Sequence, residues 1–535
     1  MRALAGLSLA GLALAGLTFT AACTGVVGDG DDAGSDGVGQ ADDPLCAAAP
    51  AQLRMLSRAE LGASIAAAFD VPADSWIGIV PPDPPAEGYV MTHGTSAMSD
   101  ERLEQILTVS LTLADEVAAS LPLRLPCAEN NPGDACLQSF VADRLPAMYR
   151  RPTTDAEIAT VVAIGKAALD RGLSFAEAVG EAAAAMVLAP EHLYRFELAE
   201  ADGNLSSHAI AELLAFGLTG APPDEDLRAA AASGALADAA TRRAHAARLL
   251  DSPAGRAKLV GFVAEWLEIT DLDRIDKSAT AYPAFDASLK SEMKEAILAF
   301  VEHVLFEGDG RLETLLTSTT VFATPALAEL YGVTASDVPI EVPNRPGIFT
   351  RAAVLAAQSG PDASSPVRRG HLLRHRLLCQ EVPPPPPAVD AAIPDASDVT
   401  TTRDRYESHL TDPSCVSCHQ LMDPLGFAFE GYDGIGRARD SENGAPVDTQ
   451  GTLEIGGEAT EVADAAELVE LLAAEPALAS CFAENYRMVG IGRPTSYDES
   501  CLPAKVLGSL SAADGRLVDI IAAWVASEDF IRRIK

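Results

Sequence analysis

Apolar residues recur at spacings of three and four along most of this chain, which is the period of an amphipathic α-helix. The pattern is clearest between residues 204 and 332, in Ala211–Phe216, Ala240–Leu250, Leu259–Leu267 and Ser291–Phe306. Runs of alternating Val, Ile and Thr are nearly absent, and aromatic residues make up only 5% of the chain. We therefore expect a mainly α protein, with a minor β-hairpin near residues 449–462.

Length and charge limit the classes of protein that the chain can belong to. At 535 residues it exceeds what one hydrophobic core usually organises, so we expect several domains. The formal net charge of −38 argues against a nucleic-acid partner, because a phosphate backbone requires a basic protein surface. The ordinary interpretation of this charge is a soluble, self-repelling surface.

The N-terminal segment has the pattern of an export signal. Arg2 precedes an apolar run, Ala3–Phe19, and small residues then lead to Cys23. We interpret residues 1–22 as a signal peptide and Cys23 as a lipid-modified N-terminus; the alternative is ordinary secretion with an unmodified cysteine. The Gly- and Asp-rich residues 23–45 then form a flexible linker. We expect an outer-membrane lipoprotein, on the periplasmic side or at the cell surface, whose lipid is its only membrane contact.

The pattern Cys415-x-x-Cys418-His419 points to a cofactor. A c-type haem is attached to this pattern: two thiols add to the vinyl groups of the porphyrin, and the adjacent imidazole becomes the proximal ligand of the iron. The pattern occurs once, so we expect one covalent haem c, bound by Cys415 and Cys418, with His419 as a metal ligand. The alternatives are a Cys415–Cys418 disulfide and a zinc site, for which adjacent ligands are poorly spaced.

The sixth ligand of such an iron must come from the opposite face of the haem. Met488 lies far enough downstream of His419 to fold over it, and Met/His ligation would favour electron transfer. The alternative is that Met488 is a core methionine of a terminal helix. His371, His375 and His409 are further alternatives as the ligand.

The residues just after the motif have expected supporting roles. The carbonyl of Pro424 is expected to accept the Nδ1–H of His419 and so fix the ring. The nearby acidic residues are expected to cap helices or to form salt bridges with Arg437 and Arg439. These acidic residues are Asp423, Glu430 and Asp433. No hydrolase, phosphate-loop or zinc-protease motif occurs in the sequence, so we assign no catalytic residue.

The remaining cysteines fit an exported protein. Without the lipid-bearing cysteine and the two of the haem pattern, six are left: Cys46, Cys127, Cys136, Cys379, Cys481 and Cys501. We expect the disulfides Cys127–Cys136 and Cys481–Cys501, because each pair flanks a short polar loop. The connectivity of the other two cysteines stays open.

Several strings together resemble a family of exported multi-domain proteins of planctomycetes, verrucomicrobia and myxobacteria. They are described as domains of unknown function 1587, 1595, 1592, 1588 and 1585, in chain order. The strings are Tyr149-Arg150-Arg151-Pro152, Ala189 to Glu197, Pro223-Asp224-Glu225, Phe262 to Leu267, Tyr331-Gly332, Ser365-Pro366 with Arg369-Gly370, Cys379, the stretch from Cys415 to Gly436, Cys481-Phe482 and Gly490 to Arg493. The resemblance covers about residues 50–535.

The resemblance implies a domain order and a cytochrome-like character. Residues 46–126 resemble the 1587 domain, 127–200 the 1595 domain, 201–335 the 1592 domain, 336–445 the haem-motif 1588 domain, and 446–535 the 1585 domain. We expect electron transfer with an unknown redox partner, and leave enzyme activity uncertain. The alternatives are a non-redox surface or interaction protein with a Cys415–Cys418 disulfide, and a haem oxidoreductase with an open axial position.

Overall fold

Helices make up most of the fold, as the apolar spacing predicted. This computed structural model describes residues 49–72, 75, 78–84, 89, 98–382, 401–491 and 515–534. The expected signal peptide, the linker and Cys23 lie outside the described residues, as do Cys46 and Cys501. The described part belongs to one compact unit, residues 41–535. None of its helices is both long and apolar enough to cross a membrane.

The helices of the N-terminal half run to Trp266. They are α1 (Arg58–Phe69), α2 (Asp100–Arg124), α3 (Cys127–Asn130), α4 (Asp134–Tyr149), α5 (Asp155–Asp170), α6 (Phe175–Leu188), α7 (Pro190–Leu193), α8 (Ser207–Thr219), α9 (Glu225–Ala232), α10 (Ala239–Asp251) and α11 (Pro253–Trp266). Three of them begin at a reciprocal capping box, in which a hydroxyl and a glutamate satisfy two backbone N–H groups. The pairs are Ser57 with Glu60, Thr154 with Glu157, and Ser174 with Glu177.

The C-terminal half contains the predicted haem-motif segment. Its helices are α12 (Ala287–Glu302), α13 (Leu312–Thr317), α14 (Pro325–Tyr331), α15 (Ala352–Ala357), α16 (Pro366–Leu372), α17 (Thr402–Thr411), α18 (Val416–Phe427), α19 (Ala465–Ala473), α20 (Pro476–Ile491) and α21 (Leu517–Ala526). Single π-helical turns extend α12 and α16, at His303–Glu307 and Leu373–Leu377.

In the part of the chain that the structure describes, the strands form five separate pairs. They are β1 (Ala49–Pro50) with β10 (Arg533–Ile534), β2 (Gln52–Met55) with β3 (Tyr194–Glu197), β4 (Thr320–Val321) with β5 (Ile340–Glu341), β6 (Ser441–Glu442) with β7 (Ala445–Pro446), and β8 (Gly451–Ile455) with β9 (Glu458–Val462). The β8–β9 pair is the predicted hairpin. The first pair is parallel and the others are antiparallel. Because β1 lies at the start of the described chain and β10 at its end, their pairing joins the two ends.

Arg150 connects two of the strings that carry the family resemblance. It is 2% exposed, and its guanidinium donates hydrogen bonds of 2.9–3.1 Å to four main-chain carbonyls. The acceptors are Met148, Glu191, His192 and Tyr194. Its remaining Nε lies 3.1 Å from Glu212 of α8. Arg150 therefore holds the turn around α7 against the end of α4.

Trp266 belongs to the largest hydrophobic core of the described residues. It is fully buried, and its Nε1–H donates to the main-chain oxygen of Arg376 at 2.8 Å. Phe349 and Phe482 contact it edge to face. This core includes side chains from both halves of the described chain, from Tyr89 to Ile531.

Two disulfides lie among the described residues. Cys127 and Cys136 are joined, which confirms the predicted pair. Cys481 is joined to Cys379, so the predicted Cys481–Cys501 pair is wrong. The physical reason is tertiary packing: α20 packs against the π-helical turn after α16, which brings the two Cα atoms to 5.4 Å across 102 residues of sequence.

Candidate functional site

The Cys-x-x-Cys-His pattern lies at the start of α18. Asp412 shapes the turn before it, because its main-chain oxygen accepts hydrogen bonds from the amides of Cys415 and Val416, both at 3.0 Å. Cys418 and His419 follow Cys415 by three and four positions, which puts all three on one helical face. The turn and the helix therefore bring together the donor groups that the sequence predicted.

The two cysteines of the pattern carry free thiols. Cys415 and Cys418 are both partly exposed, and neither forms a disulfide. The structure therefore does not contain the Cys415–Cys418 disulfide that was the first alternative. Free, accessible thiols are what covalent attachment of a porphyrin requires.

A buried carboxylate holds the imidazole of His419. Asp423 follows four positions later on α18, is fully buried, and places its two oxygens 3.0 and 3.2 Å from Nδ1 of His419. Nδ1–H of His419 therefore donates to a charged acceptor, and Nε2 is left to act as a ligand. His419 itself keeps 22% of its side chain exposed.

Asp423 takes the supporting role that the sequence assigned to Pro424. The carbonyl of Pro424 lies instead against Gly451 of β8, in a space too small for a Cβ atom. The prediction for Pro424 is therefore wrong, because the carbonyl points across to the hairpin. The four-residue spacing of His419 and Asp423 was the signal that could have found the pair.

His409 is a second imidazole at the same carboxylate. It lies on α17, its ring centroid is 3.9 Å from that of His419, and its Nδ1 is 3.4 Å from Asp423. Within the described ranges, these three side chains are the only group of three His, Cys, Asp or Glu residues with converging ligand atoms. The sequence suggested His409 only as an alternative axial ligand, because its contact with α18 is tertiary.

An ion-pair network fixes the segment that follows α18. Arg369 of α16 is 3% exposed and donates to three main-chain oxygens in that segment. They belong to Phe429, Tyr432 and Asp433, at 2.8, 3.0 and 2.7 Å. Glu430 is 1% exposed and lies between Arg369 at 3.5 Å and Arg439 at 2.7 Å. The expected salt bridge to Arg439 is present, and Arg369 is the partner that the sequence did not predict.

Met488 is a buried side chain of α20. It is 4% exposed in the main hydrophobic core, on α20, which packs against α8, α11 and α21. His419 lies instead with His409 and Asp423. His371 and His375 stack on each other at 5.6 Å, on α16 and its π-helical extension. The axial role of Met488 stays a prediction.

The donor set fits a covalently attached haem c. Two accessible thiols and an imidazole share one helical face, and the Nδ1 atom of that imidazole is already bound to a buried carboxylate. The chain is thus a mainly α-helical, multi-domain protein with a Cys-x-x-Cys-His helix in its C-terminal half.

Comparison with known families identifies the architecture. Four family models match, each described as a protein of unknown function: DUF1595 at residues 136–197, DUF1592 at 205–333, DUF1588 at 345–442 and DUF1585 at 458–530. The chain belongs to the multi-domain family built from these domains. The DUF1588 model spans the Cys-x-x-Cys-His pattern, and its short name, PSCyt3, hints at a cytochrome-like domain. Searches of curated proteins and of solved structures gave no match.

Proposed function

We propose that this protein carries one covalent haem c and works in electron transfer. Cys415 and Cys418 would hold the porphyrin through thioether bonds, and His419 would supply the proximal nitrogen. When bound, the haem iron supplies a one-electron couple between Fe(II) and Fe(III). The observation that carries the proposal is the common helical face of the two free thiols and of an imidazole fixed by Asp423.

The residues around the pattern hold the imidazole and the following segment in place. Asp423 holds Nδ1 of His419, so that Nε2 is the free nitrogen of the ring. The ring of His409 packs on that of His419 and limits its rotation. Arg369 ties the segment after α18 to α16, which gives the site a rigid base.

We propose that the protein is exported and works on the periplasmic side of the outer membrane or at the cell surface. The expected signal peptide and Cys23 would bring the protein to the outer membrane as a lipoprotein, where c-type attachment and disulfide formation are chemically compatible. Metabolic labelling with an alkyne fatty acid tests this step. Label on the wild type and none on Cys23→Ser supports the lipid anchor, and an unlabelled wild type rejects it.

Absorption spectra test the cofactor. The full chain is produced in a host with haem-attachment machinery, and the pyridine haemochrome spectrum of the denatured protein is recorded. We expect a c-type band in the wild type, its loss or strong shift in Cys415→Ala, and no change in Ser417→Ala, an exposed control between the two cysteines. Wild-type protein without a Soret band would contradict the proposal.

A second candidate is a haem oxidoreductase with an open sixth position. It is favoured by the burial of Met488 among the apolar side chains of the main core, since a methionine that serves as core packing leaves the sixth position unfilled. Carbon monoxide binding to the reduced protein separates the two candidates. Rapid binding to the wild type supports the open position, whereas binding only after Met488→Ala supports methionine ligation.

A further inference from the structure

Asp423 is a buried charge whose polar partners are two imidazoles. It is fully buried, and its contacts within the described ranges are His419 at 3.0 and 3.2 Å and His409 at 3.4 Å. Arg439, which follows α18, pairs instead with Glu430 and Glu442. A buried carboxylate is costly unless it is paired, and the two imidazoles are the partners that the fold places beside Asp423.

The hydrogen bond from His419 to this carboxylate changes the basicity of the imidazole ring. A bond to an ionised acceptor is roughly twice as strong as one to a neutral acceptor, and a low local dielectric strengthens it further. The bond draws the Nδ1 proton towards Asp423 and raises the basicity of Nε2. A more basic ligand stabilises the higher charge of Fe(III) over Fe(II).

We propose that Asp423 is a positioning residue that lowers the reduction potential of the site through His419. This inference rests on the proposed haem and deepens it. The carboxylate fixes the Nδ1–H tautomer of His419, fixes the orientation of the ring, and favours the oxidised iron. A neutral acceptor, such as the main-chain carbonyl that the sequence suggested, would leave the potential higher.

Packing contacts hold both residues of this pair. Asp423 and His419 are one helical turn apart on α18, and the backbone of α18 is pressed against α16 at Met422 and Gly426. The ring of His419 is covered on one side by His409. Both partners of the hydrogen bond are therefore held by packing.

Potentiometric titration of the full-length holoprotein tests the proposal. In Asp423→Asn we expect the ratio of Fe(II) to Fe(III), at a fixed solution potential, to rise at least tenfold, which is about 59 mV for a one-electron couple. Asp423→Glu keeps the charge and is expected to stay closer to the wild type. Glu407→Gln removes an exposed carboxylate from α17 and is the matched control, with an unchanged potential.

The outcomes separate this proposal from the haem proposal. A potential in Asp423→Asn equal to that of the wild type, with haem attached, overturns the role of Asp423. Equal potentials in the Asn and Glu variants overturn it as well. If the wild type carries no haem, the proposed function fails, and nitrogen NMR of histidine-labelled unloaded protein tests the pair alone. Protonation of His419 at Nδ1 supports the positioning role, and protonation at Nε2 overturns it.

Discussion

Gly370 of α16 lies directly against the main-chain oxygen of Met422 on α18, with no room for a side-chain carbon between them. Gly426 makes the reciprocal contact, against the main-chain oxygen of Pro366. Two helices can cross this closely only where one of them lacks a Cβ atom. Gly370 and Gly426 belong to two different strings of the family resemblance. Their contacts show that the two strings pack against each other, on the helix that carries the Cys-x-x-Cys-His pattern.

Replacing Gly370 tests this contact. Gly370→Ala places a methyl group in the space of a backbone oxygen that cannot move alone, so we expect a loss of about 3 kcal/mol in the free energy of unfolding. Urea denaturation measures it. Gly133→Ala is the control, because nothing lies within 4 Å of its position. Equal stability of the two variants would contradict the close contact.

Arg369 offers a second test of the segment around the site. Arg369→Met leaves Glu430 buried with fewer cationic partners and leaves three main-chain oxygens without their donor. Breaking such a buried pair costs about 3–5 kcal/mol. We expect a fall of this size in the free energy of unfolding, measured by denaturation. Arg437→Met, at an exposed position on the same segment, is expected to change stability by less than about 0.5 kcal/mol.

The two disulfides give a prediction about loop length. Cys379–Cys481 closes 102 residues and Cys127–Cys136 closes nine. In the chain-entropy model these loops correspond to about 4.7 and about 2.6 kcal/mol, so the double serine variant of the first pair should lose more thermal stability. Calorimetry measures the melting temperature of this variant and of the double serine variant of Cys127 and Cys136. A peptide map of the oxidised protein that joins Cys481 to Cys501 would count against the first pair.

Local patterns predicted much of this fold from the sequence. Helices with a three- and four-residue apolar period, the capping boxes and the β8–β9 hairpin all depend on residues close together in the chain. The spacing of Cys415, Cys418 and His419 is also local, so one helical turn presents them together. These features follow from the local order of side chains along a regular backbone.

The features of the fold and of the site that the sequence did not predict depend on contacts between distant segments. The β2–β3 pair joins residues 52–55 to 194–197, and its buried pair of Arg54 with Arg195 does not have the apolar alternation of a strand. The contact of His409 with Asp423 and the bond of Cys379 to Cys481 require the packing of α17 on α18 and of α20 on the end of α16. No spacing in the sequence encodes them.

His192 makes the stability of the protein sensitive to acid. It is fully buried beside Arg150, and its Nδ1–H donates to the main-chain oxygen of Val187 at 2.9 Å. Burial, with the charge of Arg150 as a second cause, lowers the pKa of His192 to about 3. The ordinary pKa of a histidine is about 6.5. Between these two values the unfolded chain binds a proton that the folded chain does not, so acid favours unfolding.

The expected result is a stability that falls as the pH drops below about 6.5, by up to about 1.4 kcal/mol per pH unit, and levels off near pH 3. His192→Asn keeps a donor for Val187 but cannot take up the proton. At pH 8 both proteins are neutral at this position, so any difference there reports packing alone. Urea denaturation at pH 8 and at pH 5 should show the variant losing less stability than the wild type. Equal losses in the two proteins would show that His192 is not the group that titrates.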